Sequence, residues 1–318
     1  MYKTGIWRLA QSVRCDSGVP AARFDPNQAD VISYQLLKED SEEVFEHIVR
    51  HLRLSSGIFR STYAQRFADL DPLVNEILKN NLRAQEMEVH DWAASDCRVS
   101  AEWAVSLWQH FPEARVIASD VLLGLKEASL RGRKESYILE ADGTPLQYVR
   151  PPFVLSLQKP IPAHYPVNRW LAKRARAGLV NAQNAARKAV GDNWSVQEIS
   201  LIHPVARRLA AKDSRFEVRS HSVFEALPRP VHAIRTMNIL NPGYFDATRL
   251  RAGAAAVGAS LIEGGIWVVG RTIEEPRPAR NCVSVFQKTG RGLALLERFN
   301  GGSEIEDLVL EGVSAGTS

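Results

Sequence analysis

The sequence predicts an α/β protein whose sheet is mostly parallel and covered by helices on both faces. Three observations support this fold class. From Glu86 onward short apolar strands alternate with helical segments, the second strand ends on an acidic residue, and the chain closes with two strands joined by a short turn. Alternating strands and helices favour a parallel, doubly wound sheet, and a closing hairpin adds an antiparallel edge.

The composition is typical of a globular protein. The 318 residues leave room for one catalytic-sized domain with additions, and the 45% hydrophobic and 24% charged residues exclude a disordered or fibrous class. With 40 basic and 36 acidic residues the net charge is only +4, so no specific nucleic-acid partner is expected.

Cysteine usage and hydropathy indicate the compartment. Cys15, Cys97 and Cys282 are odd in number and form no CxxC pair, which favours a reducing environment and argues against a disulfide framework or a zinc site. No apolar run approaches the roughly 20 residues that cross a bilayer, and residues 1–15 lack a continuous apolar signal segment. The sequence therefore predicts a cytoplasmic protein without a metal site.

A helical region is predicted over residues 1–80, ahead of an α/β domain over residues 81–318. Val44, Ile48 and Leu52 recur at helical spacing and form an apolar stripe along one side of a helix. The α/β domain begins with a strand at 87–92, a helix at 100–111 and a second strand at 115–119, which ends on Asp120.

An insertion is predicted at residues 121–190, after the second strand. Two apolar strands flank Asp142 and Gly143, a dipeptide that suits a tight hairpin turn because it tolerates positive φ. A basic segment without acidic residues follows at 164–188 and includes Trp170. Such a segment is expected to contact an anionic membrane peripherally or to take up an acidic acceptor, with a solvated helix face as the alternative.

The alternation of strands and helices resumes after the insertion. Together with the first two strands, the remaining ones make a seven-stranded sheet with an antiparallel C-terminal hairpin. Strands are predicted at 216–219, 232–237 and 266–269, a helix at 247–261, and the hairpin at 282–286 and 293–298, joined through Thr289 and Gly290.

The loop after the first strand carries the predicted ligand site. In open α/β sheets a ligand lies beyond the carboxyl ends of the strands, where the first loop brings helix amides close to it. Asp91 opens this loop, and Ala93, Ser95 and Cys97 occupy the alternate positions at which a glycine-rich fingerprint has glycines. Asp120 ends the next strand, where a carboxylate can accept hydrogen bonds from ribose hydroxyls.

Three segments together resemble the class I S-adenosylmethionine-dependent methyltransferases, which have a Rossmann-like fold. They are the acidic loop from Asp91, the strand end at Asp120, and the stretch 261–270 with the terminal hairpin. Within that superfamily, residues 223–228 and 234–241 are locally similar to the chemotaxis-receptor glutamate (CheR-like) methyltransferases. The resemblance implies S-adenosyl-L-methionine as the cofactor and leaves the helical region and the insertion outside it.

The resemblance implies a role for each matching position. The acidic loop and its amides would bind the amino-acid end of the cofactor, the acid of the second strand its ribose, and the residues after the third strand its adenine. A polar residue at the end of the fourth strand would lie beside the methyl group. In that order the implied cofactor-binding residues are Asp91, Ala93 and Ser95, then Asp120, then Ser222 and Val223, then Asn238.

The chain departs from the family at several positions. Ala93, Ser95 and Cys97 replace glycines, Met237 stands where the receptor methyltransferases carry an arginine, and Ser222 stands where an acidic residue is common. Each loop side chain narrows the room for a cofactor. Because of these departures, a non-catalytic binding protein with the same fold is the alternative function.

The leading functional prediction is a methyltransferase acting on a small-molecule, lipid-like or carboxylate acceptor. Methyl transfer from a sulfonium is an in-line displacement, so positioning can supply much of the acceleration, and a base is needed only where the acceptor loses a proton. Asn238, His203 and Tyr244 are the candidate catalytic residues. After the non-catalytic binding protein, the third reading is a dinucleotide-dependent oxidoreductase, which the missing GxGxxG and the terminal hairpin disfavour.

Overall fold

The computed structural model describes most of the chain as regular structure. None of the described helices is long and apolar enough to cross a bilayer. The described residues are 33–52, 54–55, 62–84, 86–151, 153–158, 166–188, 193–275 and 278–314. The helices there are a 3₁₀ helix at Tyr34–Lys38, α1 (Glu42–His51), α2 (Asp71–Asn81), α3 (Arg98–Leu107), α4 (Pro166–Lys188), α5 (Pro204–Lys212), α6 (Ala247–Ala259) and α7 (Glu306–Ser314).

The strands form two separate sheets. In chain order they are β1 (Glu88–Trp92), β2 (Arg115–Asp120), β3 (Gly124–Leu130), β4 (Ser136–Leu139), β5 (Pro145–Arg150), β6 (Phe153–Ser156), β7 (Trp194–Ser200), β8 (Phe216–Ser220), β9 (Val231–Met237), β10 (Leu261–Ile273), β11 (Arg280–Thr289) and β12 (Gly292–Phe299).

The chain divides into two compact units. Unit 1 comprises Met1–Ser61 and Leu122–Pro204, and unit 2 comprises Thr62–Val121 and Val205–Ser318. Helix α1 therefore belongs to unit 1 and α2 to unit 2. The domains predicted from the sequence are a helical region at 1–80 and an α/β domain at 81–318 with an insertion at 121–190. That division stays a prediction.

Unit 1 is built on a five-stranded antiparallel sheet in the order β6-β5-β4-β3-β7. Helix α4 packs on one face, where Leu171 joins Tyr137 of β4. Helix α1 packs on the other face, where Phe45 and Ile48 join Ile138. Neighbouring residues of a strand point to opposite faces, so Tyr137 and Ile138 each enter a different hydrophobic core.

The predicted hairpin within the insertion is confirmed. Strands β4 and β5 pair antiparallel, and Gly143 in the turn has a φ of +92°, which a residue without Cβ adopts at little cost. The Thr144 amide closes the turn by donating to Asp142 Oδ1 at 2.8 Å. Strands β3 and β7, which pair with each other beside this hairpin, were not predicted.

Unit 2 contains the seven-stranded sheet, in the order β12-β11-β10-β9-β1-β2-β8. Five neighbouring strands, β10, β9, β1, β2 and β8, are parallel to one another. Strand β11 runs antiparallel to β10, and β12 runs antiparallel to β11. Counted along the chain, the parallel strands have the order 3-2-1-4-5 of a Rossmann-like sheet, and a hairpin replaces the sixth parallel strand. The predicted fold class, doubly wound and mostly parallel with an antiparallel C-terminal hairpin, is confirmed.

Helices cover the two faces of this sheet because the chain winds in opposite directions from its centre. Helix α3 leads from β1 to β2, and α6 leads from β9 to β10, on the other side of β1. Right-handed crossovers therefore place α3 and α6 on opposite faces. Trp92 and Ile234 pack with Val257 of α6 in one core, whereas Asp91 bonds to Ser100 of α3 on the other side. The switch point lies between the carboxyl ends of β1 and β9.

Candidate functional site

The loop that follows β1 has a strained backbone. Ala93, Ser95 and Cys97 adopt left-handed conformations, with φ angles of 55°, 56° and 63°, while the residues between them do not. A residue with a Cβ loses about 1–2 kcal/mol in this region of φ and ψ. These are the positions at which the sequence matches a glycine-rich loop without its glycines. The chain therefore keeps the backbone path of such a loop in spite of three side chains.

This loop holds Asp120 in place. Two amides of the loop point toward the end of β2. The Ser95 amide donates to Asp120 Oδ2 at 2.9 Å, and the Ala94 amide donates to the Ser119 carbonyl at 2.8 Å. Because the Asp120 side chain is only partly buried, the structure places a held but accessible carboxylate at the carboxyl edge of the sheet.

Replacing the strained loop residues by glycine should stabilise the protein. We expect Ala93→Gly and Ser95→Gly each to raise the free energy of unfolding by about 0.5–1 kcal/mol, because glycine relieves the left-handed strain while gaining some freedom in the unfolded chain. Urea unfolding followed by circular dichroism measures the change. Ala94→Gly is the matched control, since Ala94 has no positive φ, and it should lower stability by a similar amount. Equal effects from all three would contradict the left-handed loop.

The Asp91 side chain is engaged in contacts within the protein. It is 2% exposed and lies under α3. Its Oδ1 accepts from Arg235 Nε at 2.9 Å, and its Oδ2 accepts from Arg235 Nη2 at 2.5 Å and from Ser100 Oγ at 2.6 Å. Both carboxylate oxygens are committed within the protein. The contact with the amino-acid end of the cofactor that the resemblance implies for Asp91 stays a prediction.

Arg235 is the centre of a buried ion-pair cluster next to the loop. It lies on β9 at 0% exposure and pairs with Asp91 and, through Nη1 at 2.7 Å, with Asp71 at the start of α2. Its guanidinium carbon lies 4.2 Å from the ring centroid of Trp103 and 5.0 Å from that of Phe67, which adds cation–π contacts to a desolvated cation. The cluster ties together β1 and β9, the strands that flank the switch point.

The cluster holds two carboxylates against one cation. Burial raises the pKa of Asp71 from 3.8 to about 7, in spite of the opposing effect of Arg235 and with a further rise caused by Asp91. Burial alone would lower the pKa of Arg235, but the two carboxylates raise it, so the guanidinium stays charged. The charge of the cluster therefore changes at Asp71 when the pH passes through neutrality.

Two buried polar atoms beside Asp120 lack a hydrogen-bond partner among the described residues, namely Ser119 Oγ and His221 Nε2. The His221 ring packs against Trp92, with 4.5 Å between the ring centroids. Burial lowers the pKa of His221, although Glu225 opposes the shift, so the imidazole is neutral at pH 7. An unpaired polar group in a protein interior is costly and is a common sign of a bound ligand or water.

Ser222 and Val223 lie in the loop after β8, the strand next to β2, and His221 separates them from the end of that strand. The Ser222 hydroxyl accepts from the Phe224 amide at 3.3 Å and tightens the turn. Val223 is 6% exposed and packs in the same core as Trp92. The structure thus brings both residues to the edge that carries Asp120, and their contact with adenine stays a prediction.

Asn238 fastens the loop after β9 to the neighbouring strand. It has a left-handed φ of 64°, which asparagine tolerates better than most residues. Its Oδ1 accepts from the Thr272 amide at 2.7 Å, and its Nδ2 donates to Thr272 Oγ1 at 3.3 Å. The Thr272 hydroxyl donates in turn to Asn281 Oδ1 at 2.9 Å. The side chain is thus engaged with β10, and the position of Asn238 beside a methyl group stays a prediction.

Tyr244 lies at the rim of the same edge, in the loop after β9, and is 42% exposed. Phe245, next to it, packs edge to face against Phe224 with 5.0 Å between the centroids. The guanidinium of Arg249 lies 4.2 Å over the Phe224 ring. The rim therefore combines two aromatic rings, an exposed phenol and a cation.

His203 is the third candidate catalytic residue, and unlike Asn238 and Tyr244 it belongs to unit 1. It lies in unit 1 and is fully buried, its ring centroid lies 5.2 Å from that of Phe45, and its Nε2 lies 3.6 Å from Glu46 Oε1. These contacts give it a structural role in the core of unit 1. The catalytic role named for His203 stays a prediction.

Arg235 and Asp71 were not among the residues predicted from the sequence. A signal was present, because Arg235 interrupts the apolar strand Val231–Met237 and a cation in a buried strand needs a carboxylate partner. Pattern alone could not name that partner, since Asp71 lies 164 residues away in the chain.

Comparison with known proteins returned only distant similarity. No protein-family profile and no curated protein matches the chain. The chain is similar to the solved structure of the sugar N-methyltransferase KedS8 from Streptoalloteichus sp, with 13% identity, 78% of each chain covered and a TM-score of 0.33. It is also similar to an S-adenosylmethionine-dependent methyltransferase from Clostridium acetobutylicum, with 9% identity, 79% of this chain and 81% of that chain covered and a TM-score of 0.33.

A third similar structure is an O-methyltransferase family 2 protein from Planctomyces limnophilus in complex with apigenin. The two chains are 13% identical, the match covers 74% of this chain and 44% of that chain, and the TM-score is 0.31. Identities and TM-scores this low carry no argument about function. The fold assignment rests on the order and direction of the strands in unit 2.

Proposed function

We propose that this chain is an S-adenosyl-L-methionine-dependent methyltransferase that binds its cofactor on unit 2, beyond the carboxyl ends of β1, β2 and β8. The observation that carries the proposal is the loop 93–97, in which three residues with side chains hold the left-handed conformations of a glycine-rich loop. Backbone strain persists only where the surrounding structure over-determines it, and it clusters at ligand sites. Asp120 supplies the carboxylate that an adenosine ribose requires at this place.

The side chains at this edge fit an adenosine-containing ligand. The Asp120 carboxylate is partly exposed and has about four lone-pair sites, so it can accept from ribose hydroxyls as well as from the Ser95 amide. The neutral His221 ring and the Ser119 hydroxyl have hydrogen-bonding capacity that no described residue uses. A ligand with ring nitrogens and hydroxyls would satisfy such groups.

When bound, the cofactor supplies an electrophilic methyl group on a sulfonium. Asp120 would accept hydrogen bonds from the ribose, and the backbone around Ala93 and Ser95 would bind the amino-acid end. Ser222 and Val223 would flank the adenine. The chain would accelerate transfer chiefly by holding the acceptor close to the methyl carbon and in line with the bond that breaks.

The methyl acceptor would be a small molecule, a lipid-like compound or a carboxylate. The local resemblance to the chemotaxis-receptor glutamate methyltransferases favours a carboxylate, which attacks as an anion and needs no general base. An acceptor that loses a proton would need such a base. Tyr244 is exposed at the rim and remains the candidate for that role.

A second candidate is a non-catalytic binding protein with the same fold. It is favoured by two observations, the commitment of both Asp91 oxygens to Arg235 and Ser100, and the three Cβ atoms in the loop. A dinucleotide-dependent oxidoreductase is less favoured, because the β11–β12 hairpin stands where a Rossmann dinucleotide fold has its sixth parallel strand.

Cofactor binding is testable by calorimetry with S-adenosyl-L-methionine and S-adenosylhomocysteine, with NAD as the control ligand. We expect the unaltered chain to bind both sulfur compounds and Asp120→Ala to bind them about 100-fold more weakly, because hydrogen bonds to a charged group contribute about 1.5–3 kcal/mol. Asp307→Ala is the matched control, since it removes an exposed carboxylate from α7 of the same unit.

The outcomes separate the candidates. Equal loss in Asp120→Ala and Asp307→Ala would contradict the assigned place of the ribose. Failure of the unaltered chain to bind either sulfur compound would overturn the enzymatic proposal and favour the non-catalytic reading, and binding of NAD alone would favour the oxidoreductase.

A further inference from the structure

Helix α4 of unit 1 carries charge of one sign. Its 23 residues include no acidic residue. Neighbouring like charges on a helix repel one another, so the pattern lowers helix stability unless an anionic partner offsets it. The cations are Arg169, Lys173, Arg174, Arg176, Arg187 and Lys188.

The apolar side of α4 is not available to a bilayer. Leu171, Ala175 and Ala182 are at most 1% exposed and pack against the sheet of unit 1. The Tyr137 hydroxyl donates to the Ala175 carbonyl at 2.8 Å and lies so close to Gly178 that a Cβ there would be 2.5 Å from it. A helix that lies in a membrane inserts its apolar side, so α4 cannot bind in that manner, and any anionic surface must meet its charged side.

The turn between β3 and β4 brings further cations to the N-terminal half of α4. Glu135 connects the two, because its Oε1 lies 2.6 Å from Arg174 Nη2 and 3.5 Å from Arg150 Nη1. Burial alone would raise the pKa of Glu135, but the hydrogen bond from Arg174 lowers it, so the carboxylate stays ionised and holds the turn against the helix. The exposed cations of the turn are Arg131, Arg133 and Lys134.

Trp170 lies among these cations with 46% of its surface exposed. The guanidinium of Arg150 lies 4.5 Å over its ring, which keeps the indole oriented. Tryptophan at a protein surface loses the benefit of burial, but it is enriched where a protein meets lipid headgroups. We call Arg131, Arg133, Lys134, Arg150, Trp170 and Lys173 the basic end of unit 1.

We propose that the basic end of unit 1 binds the surface of an anionic phospholipid membrane, with Trp170 at the level of the headgroups. The binding is electrostatic, since each cation near such a surface contributes about 1 kcal/mol, or about fivefold in partitioning. The membrane contact predicted for residues 164–188 is thus proposed to be electrostatic, through the charged side of α4, and not through insertion of its apolar side. Residues 164 and 165 lie outside the described chain, and the turn between β3 and β4 becomes part of the contact.

The aromatic geometry favours a lipid surface over a nucleic acid. A nucleobase binds by stacking on an open aromatic face, and one face of Trp170 is covered by Arg150. An indole at the headgroup level needs an exposed edge and a cation that meets the phosphates, which is the arrangement present here.

The test is binding of the full chain to vesicles of phosphatidylcholine alone and of equal parts phosphatidylcholine and phosphatidylglycerol, at about 0.1 M salt. We expect sedimentation with the anionic vesicles only, and about 100-fold weaker partitioning for Arg131→Gln/Arg133→Gln/Lys134→Gln. Lys212→Gln/Arg229→Gln/Arg291→Gln removes the same charge from exposed positions of unit 2 and should retain partitioning. Trp170→Ala should weaken it without changing the salt dependence.

Three results would overturn the proposal. The first is equal partitioning to neutral and anionic vesicles, and the second is equal weakening by the two triple variants. The third is tighter binding to single-stranded RNA than to anionic vesicles, with RNA binding weakened about 100-fold in Arg131→Gln/Arg133→Gln/Lys134→Gln, the turn variant. Calorimetry with S-adenosyl-L-methionine on the turn variant keeps this question separate from the proposed enzymatic activity, because the altered residues lie in unit 1 and the cofactor site is proposed on unit 2.

Discussion

Arg235→Met is expected to lower the free energy of unfolding by about 3–5 kcal/mol, because removal of one partner from a buried ion pair leaves an uncompensated charge. Methionine keeps most of the side-chain volume beside Trp103 and Phe67, so the loss reports the charge, its hydrogen bonds and its cation–π contacts. The carboxylates of Asp91 and Asp71 would face each other without a cation. Urea unfolding at pH 7 measures the change.

Two further variants keep this prediction testable if the single variant fails to fold. Arg235→Lys retains the charge but not the paired donors, and we expect an intermediate loss. The triple variant Arg235→Met/Asp71→Asn/Asp91→Asn removes the stranded charges and should recover at least about 1 kcal/mol relative to Arg235→Met alone. A loss below about 1 kcal/mol in Arg235→Met, or no recovery in the triple variant, would contradict the cluster.

Asp71→Asn should make the protein more stable than the unaltered chain at neutral pH but not at acid pH. The pKa of Asp71 is about 7 in the folded chain and 3.8 ordinarily, so the folded state holds the proton more tightly. The stabilisation from Asp71 is therefore fully present below about pH 4 and is lost as the pH rises to about 7. Three pKa units correspond to about 4 kcal/mol, and asparagine, which cannot ionise, escapes that loss.

The measurement is urea unfolding of both proteins at intervals from pH 4 to 8, expressed as the difference in free energy of unfolding. The difference should grow as the pH rises and level off above the pKa of Asp71. Glu76→Gln, which removes one negative charge from the exposed side of the same helix, controls for net charge. A difference that stays constant from about pH 5 to 8 would show that Asp71 is ionised throughout, as an ordinary ion-pair partner of Arg235.

The ion-pair cluster around Arg235 and the strained loop 93–97 together position the proposed ligand site. Asp91 lies two residues before Ala93, so the pairing with Arg235 fixes the point at which the left-handed loop begins. On the other side, the loop amide of Ser95 orients Asp120. Disruption of the cluster should therefore weaken ligand binding through the loop that the cluster supports.

Sequence patterns were sufficient for the fold of unit 2. Apolar periodicity and the positions of turns are local properties, and they predicted the parallel strands and the closing hairpin that the sheet contains. The sheet of unit 1 was only half predicted. The Asp142–Gly143 turn marked β4 and β5, but β3 and β7 pair across more than sixty intervening residues, and no local pattern indicates which distant strand fills an edge.

The sequence by itself determined that unit 2 has a doubly wound sheet and that the residues after β1 and at the end of β2 lie together at its carboxyl edge. Only the tertiary structure decided what each of these residues does there. It buried the Asp91 carboxylate against an arginine 144 residues away and left Asp120 accessible in the loop. The physical reason is that burial and pairing of charges depend on contacts between distant segments, whereas strand order and loop position follow from local periodicity.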